Sequence, residues 1–194
     1  MEKLITIMKK PGKKDCVRVS IEEDIPEFLK GSIKIDGDNL ILDCLEGIET
    51  VPIGSVIAYE KLDNGKMNVW NKANWKETLD EVDGIFYEKP KPNKAMPLVE
   101  NMPKEIVEGF KGRLTTNIYG EFELITSWGK STCKPGEGYL VIYGEKSDGS
   151  IDGNFLNKNT PSFENYDVLG ENGEVISTLK EYDLEQSKNK TKNI

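Results

Sequence analysis

The sequence predicts an α+β fold dominated by antiparallel strands, built as two related modules, each a strongly bent sheet or partial barrel with one short helix. Two observations predict it. Short apolar runs separated by glycine, asparagine, aspartate and proline recur along the whole chain of 194 residues, the pattern of short strands joined by turns. An ordered series of landmarks also occurs twice: Phe28-Leu29-Lys30-Gly31 answers Phe110-Lys111-Gly112, and Pro52-Ile53-Gly54 answers Pro135-Gly136. Val56-Ile57-Ala58-Tyr59 answers Leu140-Val141-Ile142-Tyr143, and Asn71-Lys72 answers Asn157-Lys158. Trp75 with Asp80 answers Phe163 with Asp167. The offset drifts one way, from 81 at the first glycine to 87 at the last aspartate, as small insertions in turns would make it.

The elements follow in order. Residues 4–8 read as an opening strand and Pro11-Gly12 as a turn. Val17, Val19 and Ile21 alternate with polar residues, so residues 17–21 read as a strand with those three inward. Residues 24–31 read as a short helix, with Pro26 near its start and Gly31 after its end. Residues 32–35 and 39–44 flank the Asp36-Gly37-Asp38 turn, and a looser strand covers residues 48–51. Residues 56–61 and 67–71 flank Asn64-Gly65, the strongest short hairpin signal in the chain. Trp75 to Leu79 reads as a short helix or an irregular closing segment.

Four of the nine prolines, Pro90, Pro92, Pro97 and Pro103, fall in residues 89–103, which therefore read as an extended connector. The second module repeats the plan: a helix over 104–110, strands over 113–117 and 121–126, then 138–146 and 151–157, a closing segment over 163–169 and an edge strand over 173–177. Leu179 to Leu184 reads as a helical turn. The expected organisation is thus an N-terminal module over 1–88, the connector, a C-terminal module over 104–184 and a disordered tail over 185–194.

Composition bounds the chemistry. The chain has no histidine, which removes Ser-His-Asp triads, Cys-His dyads and histidine-ligated zinc. Cys16, Cys44 and Cys133 are widely spaced with no C-x-x-C, so no structural zinc site is expected. An odd cysteine count without a secretory leader points to a reducing cytoplasm, and no run approaches a membrane span. Asp148-Gly149-Ser150 lacks the ligand series of a calcium loop and reads as a hairpin turn. No phosphate-loop or dinucleotide motif occurs, and no cofactor is expected. The carboxylates, Asp43 and Glu123 among them, have no spacing that picks out a catalytic set, although a metal-dependent nuclease is built from such groups.

Net charge is −8. Residues 31–88 carry 5 positive and 12 negative charges, and residues 104–183 carry 8 and 14, so both modules are expected to be acidic. Acidic surfaces repel nucleic acid and attract basic partners. The aromatics supply the candidate binding residues. Trp70 and Trp75 bracket Lys72, while Phe163 and Tyr166 follow Lys158. The ordinary role of most is core packing; the functional alternative is a pair of quasi-equivalent pockets, suited to stacking a nucleotide or anchoring an interface. Trp128, in Ser127-Trp128-Gly129-Lys130, lacks a counterpart in the first half and is placed on a binding surface.

Lys134-Pro135-Gly136-Glu137-Gly138-Tyr139-Leu140-Val141, then Asp148-Gly149 and Phe163-Glu164-Asn165-Tyr166, resembles the short "PGDYG" proteins of phages and prophages, with Glu137 for the central aspartate and Gly138 inserted. Lys10-Pro11-Gly12-Lys13 followed by Gly37-Asp38-Asn39-Leu40-Ile41-Leu42-Asp43 is similar to another small family from phages and mobile elements. The resemblances cover about half the chain and carry no catalytic residues. They imply an accessory protein of a phage or mobile element, acting in the host cytoplasm. With the charge, they lead to the expectation of a non-enzymatic inhibitor of the anti-CRISPR or other anti-defence kind, whose partner is a host protein with a basic, nucleic-acid-binding surface. A nucleotide-sequestering protein and a carboxylate-metal nuclease are the alternatives.

Overall fold

The computed structural model describes residues 3–192. The chain forms two compact units, one of residues up to Lys10 together with those from Pro90 onward, the other of Pro11–Lys89. We call them the outer and the inner unit, from their order along the chain. The first strand, β1 (Ile5–Lys9), belongs to the outer unit.

The inner unit opens with β2 (Cys16–Val19) and two 3-10 turns, Glu22–Asp24 and Glu27–Leu29. Asp24 sets the first turn, its carboxylate accepting the Ser20 and Ile21 N–H groups at 2.9 and 3.0 Å. A meander follows, β3 (Ile33–Asp36), β4 (Asn39–Cys44) and β5 (Gly47–Pro52), then the hairpin β6 (Ser55–Lys61) and β7 (Met67–Asn71). Alternation places Leu40 and Leu42 of β4 in the core and Asp43 outside. The Asn64-Gly65 turn closes the hairpin, with Gly65 at φ +82° and the Lys66 N–H bonded to Asn64 Oδ1 at 3.0 Å. A four-residue helix α1 (Trp75–Thr78) leads into a second hairpin, β8 (Leu79–Val82) and β9 (Ile85–Glu88). The sheets are β2-β6-β7, β3-β4-β5 and β8-β9. The principal core joins Val19, Leu29, Ile33, Leu40, Leu42, Val51, Ile57 and Val69.

The outer unit continues with β10 (Pro92–Pro97), α2 (Lys104–Gly109) and the meander β11 (Leu114–Thr116), β12 (Phe122–Thr126) and β13 (Gly129–Cys133). The hairpin β14 (Gly138–Glu145) and β15 (Ile151–Asn157), a 3-10 turn over Pro161–Asn165, the hairpin β16 (Tyr166–Leu169) and β17 (Val175–Thr178), and helix α3 (Leu179–Lys192) complete it. Its main sheet runs β15-β14-β10-β1-β16-β17, antiparallel throughout. One face packs on α2 and the meander through Met96, Leu98, Phe110, Leu124 and Leu140. The other packs on Phe163 and Leu179 through Ile5, Ile7, Ala95, Tyr139 and Val141. The fold is α+β, mainly antiparallel, and its sheets do not close into a barrel.

The two units share one order of elements from β2 and from β10: strand, short helix or 3-10 turn, meander, hairpin, short helix or 3-10 turn, hairpin. The pairing registers agree as well. Ile33 faces Leu42 and Leu40 faces Val51 in the inner meander; Leu114 faces Leu124 and Phe122 faces Cys133 in the outer one. The Gly54 N–H donates to the Val19 carbonyl at 2.6 Å, and the Gly136 N–H to the Leu98 carbonyl at 2.7 Å.

Several sequence expectations are corrected. Each repeat begins one strand before the Phe28 and Phe110 landmarks, and Leu29, not Phe28, takes the buried place of Phe110. Residues 92–97 are a central strand of the six-stranded sheet and no connector, because Pro92 and Pro97 fall at its two ends, where ladder donors matter least, and Ala95 and Met96 between them are buried. Tyr59 and Tyr143 are not equivalent: Ile57 faces Val17 and Leu140 faces Met96, so the true match is one residue off, and in a strand that reverses the face. The expected disordered tail is helical to Lys192, its Leu, Lys, Glu and Gln content running without proline or glycine from a Thr178 cap; residues 193 and 194 lie outside the described residues.

The acidity is also redistributed. The inner unit holds ten Lys and Arg against 17 Asp and Glu, a net charge of −7. The outer unit, which gathers the basic terminal segments and residues 90–103, holds 16 against 17, a net of −1. The expectation of two equally acidic modules fails because the chain ends fold into one of them.

Candidate binding groove of the inner unit

The β4–β5 turn is a tight one. Gly47 takes φ +125°, a conformation costly for any side chain, and the turn projects Leu45 outward. On β5, Ile48 and Glu49 follow, with Ile48 among the most exposed apolar side chains of the chain at 76%. On β7, Val69 points into the core, so alternation turns Asn68 and Trp70 the other way, beside Ala58 and Glu60 of β6. These pieces line a groove of about 650 Å³ formed by residues 44–49 and by Glu60, Asn68, Val69 and Trp70.

Its chemistry is one-sided. Leu45, Ile48 and Trp70 give it an apolar lining. Glu46, Glu49 and Glu60 give it three carboxylates, and no lysine or arginine lines it. Glu60 accepts from Asn68 Nδ2 at 3.3 Å and Glu49 lies 3.7 Å from the Cys44 thiol, yet none of the three makes a salt bridge among the described residues. Burial and then the charge of Glu49 push the Cys44 thiol up from its ordinary value, so it stays protonated and is a poor nucleophile.

Of the residues singled out in the sequence, only Trp70 lines this groove. Lys72 is half-buried just beyond β7, its N–H bonded to the Val56 carbonyl at 2.8 Å. Trp75 packs edge-on against Phe86 with ring centroids 5.4 Å apart, under Arg18 at 5.1 Å. The outer unit holds the others. Phe163 is buried and stacks on Tyr139 at 6.0 Å, and Tyr166 packs half-buried against the same core. Lys158 pairs with Asp183 at 2.7 Å, and the Tyr139 hydroxyl donates to the same Asp183 oxygen at 2.8 Å. Trp128 stands 93% exposed at the β12–β13 turn, where Gly129 at φ +130° matches Gly47. Its counterpart is Glu46, a position sequence comparison missed. Thus the aromatics do not assemble into two equivalent stacking pockets. The Asn-Lys pairs both end a hairpin strand but two residues apart in register, since Asn71 faces Ile57 and Asn157 faces Gly138.

Leu45, Ile48 and Glu60 were not legible as site residues, and Glu46 and Glu49 stood only among the carboxylates whose spacing picks out no set. An apolar run interrupted by glutamates reads as a buried strand and its turn, and nothing local says which side chains turn outward. Among the described residues, no three Cys, Asp or Glu side chains stand together so as to hold a metal ion, and no helix is long and apolar enough to cross a membrane. Comparison with protein-family models, curated proteins and solved structures finds no match.

Proposed function

We propose that the chain is a phage or mobile-element accessory binding protein that inhibits a host nucleic-acid-handling defence effector, of the anti-CRISPR or other anti-defence kind, by occupying a basic surface of that effector. The observation that carries this reading is the inner unit: a net charge of −7 with an open apolar groove whose only charged lining groups are carboxylates. A surface of that sign is steered toward cationic channels and away from nucleic acid. Apolar contact at the centre of a charged surface supplies the short-range part of affinity. The groove's carboxylates are read as groups that pair with a partner's cations, and its Cys44 thiol is held protonated by burial. The phage setting rests on the sequence resemblances, by analogy.

The test is an interference assay. A bacterium with an active nucleic-acid-guided nuclease is challenged by a targeted plasmid, with and without the chain expressed. Raised plasmid survival is the expected result. Unchanged survival across guided nucleases of several classes contradicts the reading.

A further inference from the structure

We propose that the groove between the β4–β5 turn and the β6–β7 hairpin takes an extended peptide segment of a protein partner in which lysine or arginine alternates with apolar residues. The proposal rests on the docking role given above and names the chemistry of the occupant.

Three features commit the groove to this occupant. Its volume of about 650 Å³ lies within the range of ligand-binding clefts. Its lining offers apolar surface at Leu45, Ile48 and Trp70 beside carboxylates at Glu46, Glu49 and Glu60. Both sides of the groove carry both kinds of group, Leu45, Glu46, Ile48 and Glu49 on the turn and Glu60 and Trp70 on the hairpin, so a segment that interleaves cationic and apolar side chains finds partners for each. A nucleic acid offers stacking surface but the wrong charge.

The second argument is internal. Trp75, in the same unit, has Arg18 at 5.1 Å and Lys76 at 5.7 Å from its ring. Trp70 has no cation over its ring among the described residues. Tryptophan is the best aromatic partner for an ammonium or guanidinium group, and the groove leaves this one open.

The third argument compares the repeats. In the outer unit, Lys130 of the equivalent turn pairs with Glu123 at 3.4 Å, so its acid is neutralised within the chain. The register that matches Gly47 to Gly129 puts Ile48 at the place of Lys130. The same register puts Ile41 at the place of Glu123, so the inner turn has neither member of that ion pair; it carries instead an exposed apolar side chain and two carboxylates, Glu46 and Glu49, that make no salt bridge among the described residues.

The test uses the full chain and a fluorescein-labelled hexapeptide alternating lysine or arginine with leucine or valine, read by fluorescence anisotropy. Controls are the same peptide with glutamate for each cation and free arginine. Saturable binding of the basic peptide alone is expected, weakened about tenfold by Trp70→Ala and by Ile48→Ser, and more by Glu49→Gln with Glu60→Gln. Ile48→Ser changes a surface residue, so it tests the groove even where Trp70→Ala fails to fold. No binding of the basic peptide, equal binding of the acidic one, or unchanged affinity in every variant overturns the proposal. Failure of the peptide with plasmid survival still raised removes the groove and keeps the docking role; failure of both removes both.

Discussion

Phe110 fills the space that a side chain on Gly153 would need: a Cβ there would lie 3.2 Å from Phe110 Cζ and 2.5 Å from the Val141 carbonyl oxygen. The nearer atom is backbone, which cannot swing away. Gly153→Ala therefore destabilises the outer unit by about 2–3 kcal/mol, and adding Phe110→Leu does not restore it. Urea melts of the single and double variants check this; full rescue by Phe110→Leu would show that the ring, not the carbonyl, is the barrier.

Asp183 ties helix α3 to the main sheet, beside the pair of Lys180 with Glu164 at 2.7 Å. Asp183 accepts from the Tyr139 hydroxyl and pairs with Lys158, while Leu179 is buried at the start of the helix. Asp183→Ala leaves a buried hydroxyl and a half-buried ammonium without this partner, at a cost of about 1–3 kcal/mol. Hydrogen exchange in α3 then rises more than in the inner unit. Uniform change across both units would contradict the local role.

The buried Cys133 thiol has its pKa pushed up to about 11, first by burial and then by the charge of Glu137. A folded pKa above the ordinary 9.0 means the native state holds this proton more tightly. Its contribution to stability is present below pH 9 and is lost as pH rises through about 11. Stability of the wild type should fall more steeply than that of Cys133→Ala across that window. In native protein near neutral pH, Cys133 reacts with a thiol reagent far more slowly than after unfolding. Rapid labelling of Cys133 without unfolding would contradict both statements.

Among the described residues Trp128 makes no aromatic or cation–ring contact, and it is almost fully exposed. Trp128→Phe should leave stability within about 0.5 kcal/mol and remove the tryptophan emission most easily quenched by acrylamide. A larger loss of stability would mean that the turn packs against something.

How far the sequence carries the fold depends on the kind of signal. The Asn64-Gly65 hairpin and the helix before Gly112 depend on local backbone preferences, which short stretches encode, and both form. The repeat was legible because turn glycines such as Gly54 and Gly136 hold the same hydrogen bond in each unit. The central strand at Pro92–Pro97 was not legible, since its place depends on pairing with β1 and β14, distant in sequence. The groove failed for a related reason. Trp70 was singled out as an aromatic, but its partners Leu45 and Ile48 come from another hairpin, and only the packed fold brings them together.

The most direct measurement of the central claim is the nucleic-acid occupancy of a guided nuclease that the chain protects against, measured with the purified chain added at rising salt. The chain is expected to displace nucleic acid at about 50 mM salt, with displacement weakening steeply toward about 500 mM and abolished by Glu46→Gln, Glu49→Gln and Glu60→Gln together with Trp70→Ala. Unchanged occupancy at low salt, or displacement equally strong in that combined variant, would contradict it.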